Sequence, residues 1–192
     1  MSFLRDWLRA VLATPGLTAL RDEVEAYAML VDDALRAVDV VRSFDGPIVD
    51  VGSGGGSPGI PLASALLERE VTLLDAERRK CDFLEQWAPP NARVVWGRAE
   101  EQGVDTYGVA LAKALAQPAT AVEWCLPLVR PGGAVVLWLG PSADLSAVAR
   151  VAGQVGGGEP QDLDGLVVIR KVRATPEGFP RRVGVAKKRP LA

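Results

Sequence analysis

A glycine-rich segment that follows a short apolar run is the part of the sequence best suited to bind a ligand. Residues 49–61 read VDVGSGGGSPGIP, and the apolar start of this segment predicts a central strand of a parallel sheet. Gly52, Gly54 and Gly56 permit positive φ angles and let a ligand approach the backbone closely. Asp75 ends the next apolar run, where a carboxylate can accept hydrogen bonds from the two ribose hydroxyls of an adenosine. These segments predict a binding site for a cofactor that contains adenosine.

The spacing of the glycines helps to distinguish between adenosine cofactors. A dinucleotide site uses G-x-G-x-x-G, whose third glycine lets a helix N-terminus face a pyrophosphate, whereas Ser57 occupies that position here. Asp50 precedes the first glycine, and a carboxylate there favours a ligand with a cationic sulfonium and amino group. The pattern resembles motif I of class I methyltransferases, which implies S-adenosyl-L-methionine as the cofactor. A nicotinamide-dependent oxidoreductase and a glycine turn that only packs tightly remain alternatives.

Composition limits the remaining possibilities. The chain has 192 residues, which predicts one domain that buries roughly 70% of its unfolded surface. We expect N-terminal helices over residues 1–45, a cofactor-binding core over 46–171 and a basic tail over 172–192. Cys81 and Cys125 are expected to be free thiols, and the chain has no histidine, which excludes histidine metal sites and histidine bases. No apolar run reaches the roughly 18 residues of a membrane span, so we expect a cytoplasmic protein, and we further expect no metal and a monomer.

Positive charge is concentrated near the C-terminal end. From Gly165 onward eight basic residues accompany one acid, Glu177, which gives +7 and leaves −9 on the rest of the chain. Such a segment is typical of proteins that neutralise phosphates of nucleic acid, although a solvated tail without a partner is the alternative. Truncation after Thr175 is therefore expected to weaken RNA binding and leave cofactor affinity unchanged. The candidate RNA-binding residues are Arg170, Lys171, Arg173, Arg181, Arg182, Lys187, Lys188 and Arg189.

Hydrophobic periodicity predicts alternating helices and strands. Two amphipathic helices, over residues 3–12 and 24–38, come first, and a capping box from Asp22 to Glu25 begins the second. The predicted strands are 47–51, 71–75, 93–96, 107–112, 134–139 and 166–171, and the predicted helices between them are 60–67, 78–87, 119–128 and 142–155. This order predicts an α/β fold with a doubly wound, mostly parallel sheet and an N-terminal helical extension. Tryptophans within these elements, including Trp96, are expected to pack in the core.

In such a sheet the ligand lies beyond the carboxyl ends of the strands. That geometry brings residues 97–100, after the third strand, and Lys113, after the fourth, toward the glycine-rich segment. Ala99 could offer backbone and surface to the adenine, and Glu100 could accept from a nearby amine. A simple capping role for Glu100 is the alternative.

The methyl acceptor can be narrowed by elimination. Residues 112–115 read AKAL, whereas enzymes that methylate an adenine amino group usually have Asn or Asp, two prolines and an aromatic residue there. No cysteine follows a proline, as cytosine C5 enzymes commonly require, and histidine bases are absent. An acceptor that needs no deprotonation remains, and guanine N7 fits because its lone pair is neutral and exposed on the major-groove edge. We therefore assign no catalytic residue and expect catalysis by alignment.

Several segments resemble the RsmG/GidB family, the bacterial guanine-N7 methyltransferases of 16S small-subunit ribosomal RNA. They are the glycine-rich segment, LLD from Leu73, GRAEE from Gly97, LVRPGG from Leu128, FPRRVG from Phe179 and the final KRPL, within roughly residues 15–192. The resemblance implies that the basic tail folds beside the site to hold RNA, and that Lys113 replaces a family arginine. With the residues of the glycine-rich segment, the predicted cofactor-binding set is Asp50, Gly52, Ser53, Gly54, Gly56, Ser57, Asp75, Ala99, Glu100 and Lys113.

Three positions depart from the family pattern. Gly16 stands where the family has asparagine, Leu30 where it has histidine, and Leu139 where it has lysine. Each change removes a polar group from the acceptor side, so the cofactor site is better retained than the acceptor site. A methyltransferase with another acceptor and a non-catalytic cofactor- or RNA-binding relative are therefore alternatives.

Overall fold

The centre of the molecule is a seven-stranded sheet, seen in a computed structural model that describes residues 2–192. The strands are β1 (Ile48–Val51), β2 (Val71–Asp75), β3 (Ala92–Trp96), β4 (Tyr107–Lys113), β5 (Val129–Trp138), β6 (Gln161–Leu163) and β7 (Leu166–Arg170). Their order is β3-β2-β1-β4-β5-β7-β6. The first five strands are parallel, and β7 is antiparallel to both neighbours. The predicted α/β fold with a mostly parallel sheet is confirmed.

Helices pack on the two faces of this sheet. They are α1 (Ser2–Ala13), α2 (Glu23–Tyr27), α3 (Asp33–Leu35), α4 (Val38–Arg42), α5 (Gly59–Ala65), α6 (Arg78–Trp87), α7 (Pro118–Cys125), α8 (Leu145–Gln154) and α9 (Val185–Lys188). A π-helical turn (Ala28–Asp32) joins α2 to α3, and 3-10 turns lie at Ala99–Glu101 and Leu126–Leu128. Among the described helices, none has the length and apolar character needed to cross a bilayer.

Two hydrophobic cores lie on opposite faces of the sheet, because successive strand residues point to opposite sides. Ile48 and Leu111 belong to the core that helices α1 to α6 cover. Val49 and Ala110 belong to the core that α7 and α8 cover. The N-terminal helices thus pack directly on the sheet and approach the carboxyl end of β1 from one face.

The structure differs from the sequence prediction in several elements. The helix predicted over 24–38 is divided by the π-helical turn and by a break before α4. The strand β6 was not predicted, because its three residues are exposed at a sheet edge and show no apolar pattern. The short helix α9 was also not predicted. Trp96 is 60% exposed on the edge strand β3, contrary to the core expectation, with the guanidinium of Arg78 5.3 Å from its ring centroid.

Candidate active site

Asp75 braces the glycine loop (residues 52–57) from the carboxyl end of β2. Its Oδ2 accepts a hydrogen bond from the backbone N–H of Gly54 at 2.8 Å, and its Oδ1 accepts one from that of Glu77 at 2.8 Å. The residue is 5% exposed. Each carboxylate oxygen retains a second acceptor site, so Asp75 can hold the loop and also accept from ligand hydroxyls.

The glycine loop has the conformation that the sequence predicted. Gly52, Gly54 and Gly56 have φ angles of 71°, 58° and 107°. A β-carbon on Gly56 would lie 2.5 Å from Cδ1 of Ile60, which excludes a larger residue without rearrangement. The buried Trp7 of α1 donates from its indole Nε1 to the carbonyl of the adjacent Gly55 at 2.9 Å. Trp7 lies in the amphipathic helix predicted over residues 3–12, and no local signal predicted its contact with the loop.

Asp50 lies beneath the loop and borders none of the cavities described below. Its Oδ2 accepts from the backbone N–H of Gly59 at 3.0 Å, while its buried Oδ1 has no hydrogen-bond partner in the structure. Burial raises the pKa of Asp50 to about 7, and the hydrogen bond from the Gly59 amide opposes this rise only in part. Asp50 therefore supports the loop, and the prediction that it contacts the cofactor is corrected.

Replacing Asp50 with asparagine should change how stability depends on pH. Because the folded pKa of about 7 lies above the ordinary 3.8, the folded state binds more protons between these values, and stability falls as pH rises through this window. Asparagine keeps an acceptor for the Gly59 amide and removes the titration. The unfolding free energy of the variant minus that of wild type should therefore increase by roughly 2–4 kcal/mol from pH 4.5 to pH 8. Urea unfolding at the two pH values measures this gain.

The control for this experiment is Asp39→Asn, because the Asp39 side chain is exposed and pairs with Arg42 at 3.6 Å. This substitution removes the same charge from a solvated site. The difference in unfolding free energy between Asp39→Asn and wild type should therefore stay nearly constant with pH. If the difference in unfolding free energy is also constant with pH for Asp50→Asn, the pKa of the buried Asp50 carboxyl is not raised and the prediction is wrong.

A groove of about 370 Å³ opens beyond the carboxyl ends of β1, β2 and β3. Of the predicted cofactor-binding residues, Gly52, Asp75, Ala99 and Glu100 border it. The groove is bordered in addition by Lys80, Leu115, Trp124 and Lys187. The sequence prediction assigned none of these four residues to the cofactor site and placed Lys187 among the RNA-binding residues, since they come from segments that only the fold brings together.

A second, smaller cavity of about 240 Å³, the loop cavity, adjoins the groove and shares Gly52 and Lys80 with it. Of the predicted set, it is bordered by Gly52, Ser53, Gly54, Ser57 and Lys113. Ser57 Oγ donates to the carbonyl of Leu30 at 2.8 Å, which ties the loop to the π-helical turn. The predicted residues thus converge on two adjoining cavities, with Asp50 and Gly56 as packing residues outside them.

Lys113 reaches the loop cavity but is held by the N-terminal helices. Its Nζ donates to Oδ2 of Asp33 at 2.6 Å and to the carbonyl of Met29 at 2.5 Å. Its side chain is only 16% exposed. Asp33 therefore neutralises the cation that would replace the family arginine, so Lys113 would have to exchange partners to contact a cofactor.

Two of the positions that depart from the family pattern lie around Lys113. Leu30 borders the loop cavity. Leu139 borders a third cavity of about 750 Å³, the β5 cavity, which also includes Asp33, Arg36 and Lys113. The missing histidine and lysine would thus have flanked the same end of β4.

The structure contradicts the prediction that Lys171 binds RNA. The residue is 1% exposed, and its Nζ donates to the carbonyls of Leu126 at 2.7 Å and Val155 at 3.2 Å, and to Oγ1 of Thr175 at 2.6 Å. Burial lowers the pKa of Lys171, while Asp105, at 3.4 Å, opposes this shift. An ammonium group enclosed in this way cannot reach a phosphate.

Two neighbouring basic residues also lie away from the groove. Arg170 pairs in the sheet with Ala134, at the opposite end from the groove, and its guanidinium lies 4.9 Å from the ring centroid of Phe44. Arg173 donates to the carbonyl of Gly153. Five basic residues follow residue 180. Arg181 pairs with Glu123, and Lys187 borders the groove. The other three, Arg182, Lys188 and Arg189, are exposed.

The strand order with an antiparallel β7, together with a glycine loop over β1 and an acid at the end of β2, is the arrangement of a class I methyltransferase. Solved structures with this fold include the 16S rRNA N2 G1207 methyltransferase of T. thermophilus in complex with AdoMet and guanosine, with a TM-score of 0.50, 14% identity and coverage of 73% of this chain and 40% of that one. Another is precorrin-6y C5,15-methyltransferase from Geobacter metallireducens, with a TM-score of 0.55 and 12% identity. The match covers 81% of this chain and 89% of that one.

Sequence relatives identify the family. The model of the GidB family, described as rRNA small subunit methyltransferase G, matches residues 4–151. Relatives named ribosomal RNA small subunit methyltransferase G include those of Pelotomaculum thermopropionicum, 36% identical with coverage of 92% of this chain and 83% of the relative, and Roseiflexus castenholzii, 37% identical with coverage of 96% and 87%. The chain belongs to the rRNA small subunit methyltransferase G family.

Proposed function

We propose that the chain is an S-adenosylmethionine-dependent methyltransferase that methylates N7 of a guanine in 16S small-subunit ribosomal RNA. The observation that carries the proposal is the convergence of Gly52 of the glycine loop, Asp75 and Glu100 on one groove in a chain of this family. The groove volume of about 370 Å³ lies within the range of small-molecule sites, roughly 300–1,000 Å³.

The residues around the groove fit S-adenosylmethionine. Asp75 provides carboxylate oxygens for the ribose hydroxyls, and Ala99 and Glu100 provide surface and an acceptor at the adenine end. Gly52 borders the groove and Gly54 borders the adjoining loop cavity, where the methionine part can approach the backbone. S-adenosylmethionine supplies a methyl group on a cationic sulfur, which takes back the electrons of the C–S bond as the methyl leaves. The protein binds and aligns the reactants.

Guanine N7 suits a site without a histidine base. Its lone pair forms the new N–C bond directly, no proton has to leave, and the purine takes up the positive charge. The chain has no histidine, and Lys113, at the junction of the loop cavity and the β5 cavity, is already paired with Asp33. Alignment of N7 with the methyl group is therefore the contribution required of the protein.

A class I methyltransferase with another acceptor is the second candidate, and the β5 cavity favours it. Both cations at this cavity are paired with acids: Lys113 with Asp33, and Arg36 with Asp33 and Asp164. These pairs reduce the positive charge available to a phosphate close to the reaction centre.

Methyl transfer from labelled S-adenosylmethionine tests both candidates. The acceptors are small ribosomal subunits and naked 16S RNA from cells that lack this protein, and the product is mapped by mass spectrometry. We expect label at N7 of one guanine, absent when the RNA comes from cells that contain the protein. Label on another nucleotide, or turnover only with a small molecule, would support the second candidate, and cofactor binding without turnover on any acceptor would contradict both.

A further inference from the structure

The C-terminal tail (residues 172–192) is fastened to the body of the protein by buried contacts. At its start, Oγ1 of Thr175 donates to Oδ1 of Asp105 at 2.7 Å. Further along, the guanidinium of Arg181 donates to both carboxylate oxygens of Glu123 on α7, at 2.5 Å and 2.6 Å. Glu123 is 3% exposed. A bidentate pair with one partner buried is among the strong polar contacts in proteins, so the tail follows a defined path.

The far end of this path reaches the groove. The backbone N–H of Gly184 donates to Oε1 of Glu100 at 3.1 Å, and the next turn, α9, buries Ala186. Lys187 of the same turn borders the groove. Arg181 closes the segment on itself by donating to the carbonyl of Arg189 at 2.9 Å. Lys187 of the tail therefore forms part of the wall of the groove, and Gly184 contacts Glu100, another residue of that wall.

We propose that the ion pair of Glu123 and Arg181 is a clasp that holds residues 184–187 as a wall of the cofactor groove, and that Arg181 is a positioning residue for cofactor binding. The inference rests on the proposed function for the identity of the ligand. The Gly184 amide fixes one oxygen of Glu100 and leaves its second oxygen as an acceptor for the adenine amino group. Loss of the clasp releases the wall and leaves the Glu100 carboxylate without this orientation.

The charge of the tail alone predicts that its removal leaves cofactor affinity unchanged, and the clasp changes that prediction. A tail that served only to attract RNA could be removed without an effect on cofactor affinity. With the clasp, one tail arginine contributes to cofactor binding and a neighbouring arginine of equal charge does not. The exposed Arg182 is that neighbour, because its side chain makes no hydrogen bond or ion pair with the residues that the structure describes.

The test compares Arg181→Ala with the matched control Arg182→Ala, since each removes one positive charge from the tail. Calorimetry measures the Kd for S-adenosylmethionine and for adenosine. We expect Arg181→Ala to weaken both ligands by about tenfold and by equal factors, because the clasp acts at the adenine end. Arg182→Ala should stay within about twofold of wild type. Equal affinities for the two variants would overturn the proposal.

A second variant separates positioning from stability. Arg181→Ala leaves the Glu123 carboxylate buried and unpaired, which lowers Tm by itself. The double variant Glu123→Leu/Arg181→Ala removes that charge, so Tm should recover while ligand affinity stays low. Wild-type affinity in the double variant would contradict the clasp.

Hydrogen exchange without ligand distinguishes failure of the clasp from failure of the proposed function. Amides of residues 184–188 should exchange faster in Arg181→Ala than in Arg182→Ala, whatever the ligand is. If wild type binds neither ligand, the proposed function fails on its own. Unchanged exchange at these amides in Arg181→Ala would overturn the clasp even if wild type binds S-adenosylmethionine.

Discussion

Replacing Asp75 with alanine should weaken S-adenosylmethionine binding by about 10- to 150-fold. This range corresponds to roughly 1.5–3 kcal/mol, the usual contribution of a hydrogen bond to a charged group. The structure adds a second reason, because the same carboxylate accepts from the amides of Gly54 and Glu77 and so holds the glycine loop in its binding conformation. Isothermal titration calorimetry of the variant and wild type measures the effect.

The control for this prediction is Asp82→Asn, which removes a carboxylate from the exposed face of α6, where Asp82 pairs with Arg78 at 2.8 Å. That substitution should leave cofactor affinity unchanged. Asp75→Asn should fall between wild type and Asp75→Ala, because the amide retains one acceptor oxygen and lacks the charge. Unchanged affinity in Asp75→Ala would remove the basis for placing an adenosine in the groove.

The triple variant Arg182→Gln, Lys188→Gln and Arg189→Gln should weaken RNA binding strongly and leave cofactor affinity unchanged. The three side chains are exposed, and their substitution leaves Arg181 and its pair with Glu123 intact. Each lost phosphate contact should lower the slope of log K against log salt by about 0.7–0.9. If all three side chains contact phosphates, affinity should fall on the order of 100-fold at physiological salt. Filter binding or fluorescence anisotropy over a salt series measures both quantities.

A matched control removes three charges from the opposite face of the sheet. Arg5, Arg9 and Arg42 belong to α1 and α4, which pack in the first core, whereas Phe179 and Leu191 of the tail pack against the second. Replacing Arg5, Arg9 and Arg42 with glutamine changes the net charge by the same amount as the tail variant. This control should alter the slope of log K against log salt only a little. Equal slopes for the two triple variants would mean that the tail attracts RNA only through net charge, without defined phosphate contacts.

Much of the candidate cofactor site could be predicted from the sequence because its signals are local. A glycine that must adopt positive φ, such as Gly52, and an acid at the end of an apolar run, such as Asp75, are visible within a few residues of chain. The parallel order of the strands then places them at the same edge of the sheet. The sequence prediction was wrong for Asp50, which it placed at the cofactor, because the direction in which a side chain points from a strand end depends on the packing around Gly59.

The basic tail shows what the tertiary structure alone decided. By composition Lys171, Arg181 and Arg182 are equivalent positive charges, yet the fold buries the first, pairs the second with an acid 58 residues away and leaves the third exposed. Likewise nothing near Trp7 in the sequence indicates its bond to the glycine loop 48 residues later. Periodicity and glycine placement report the local backbone, so the sequence determined the family fold and the cofactor loop. The partner of each charged or aromatic side chain depends on which distant segments meet, and only the packed structure decided that.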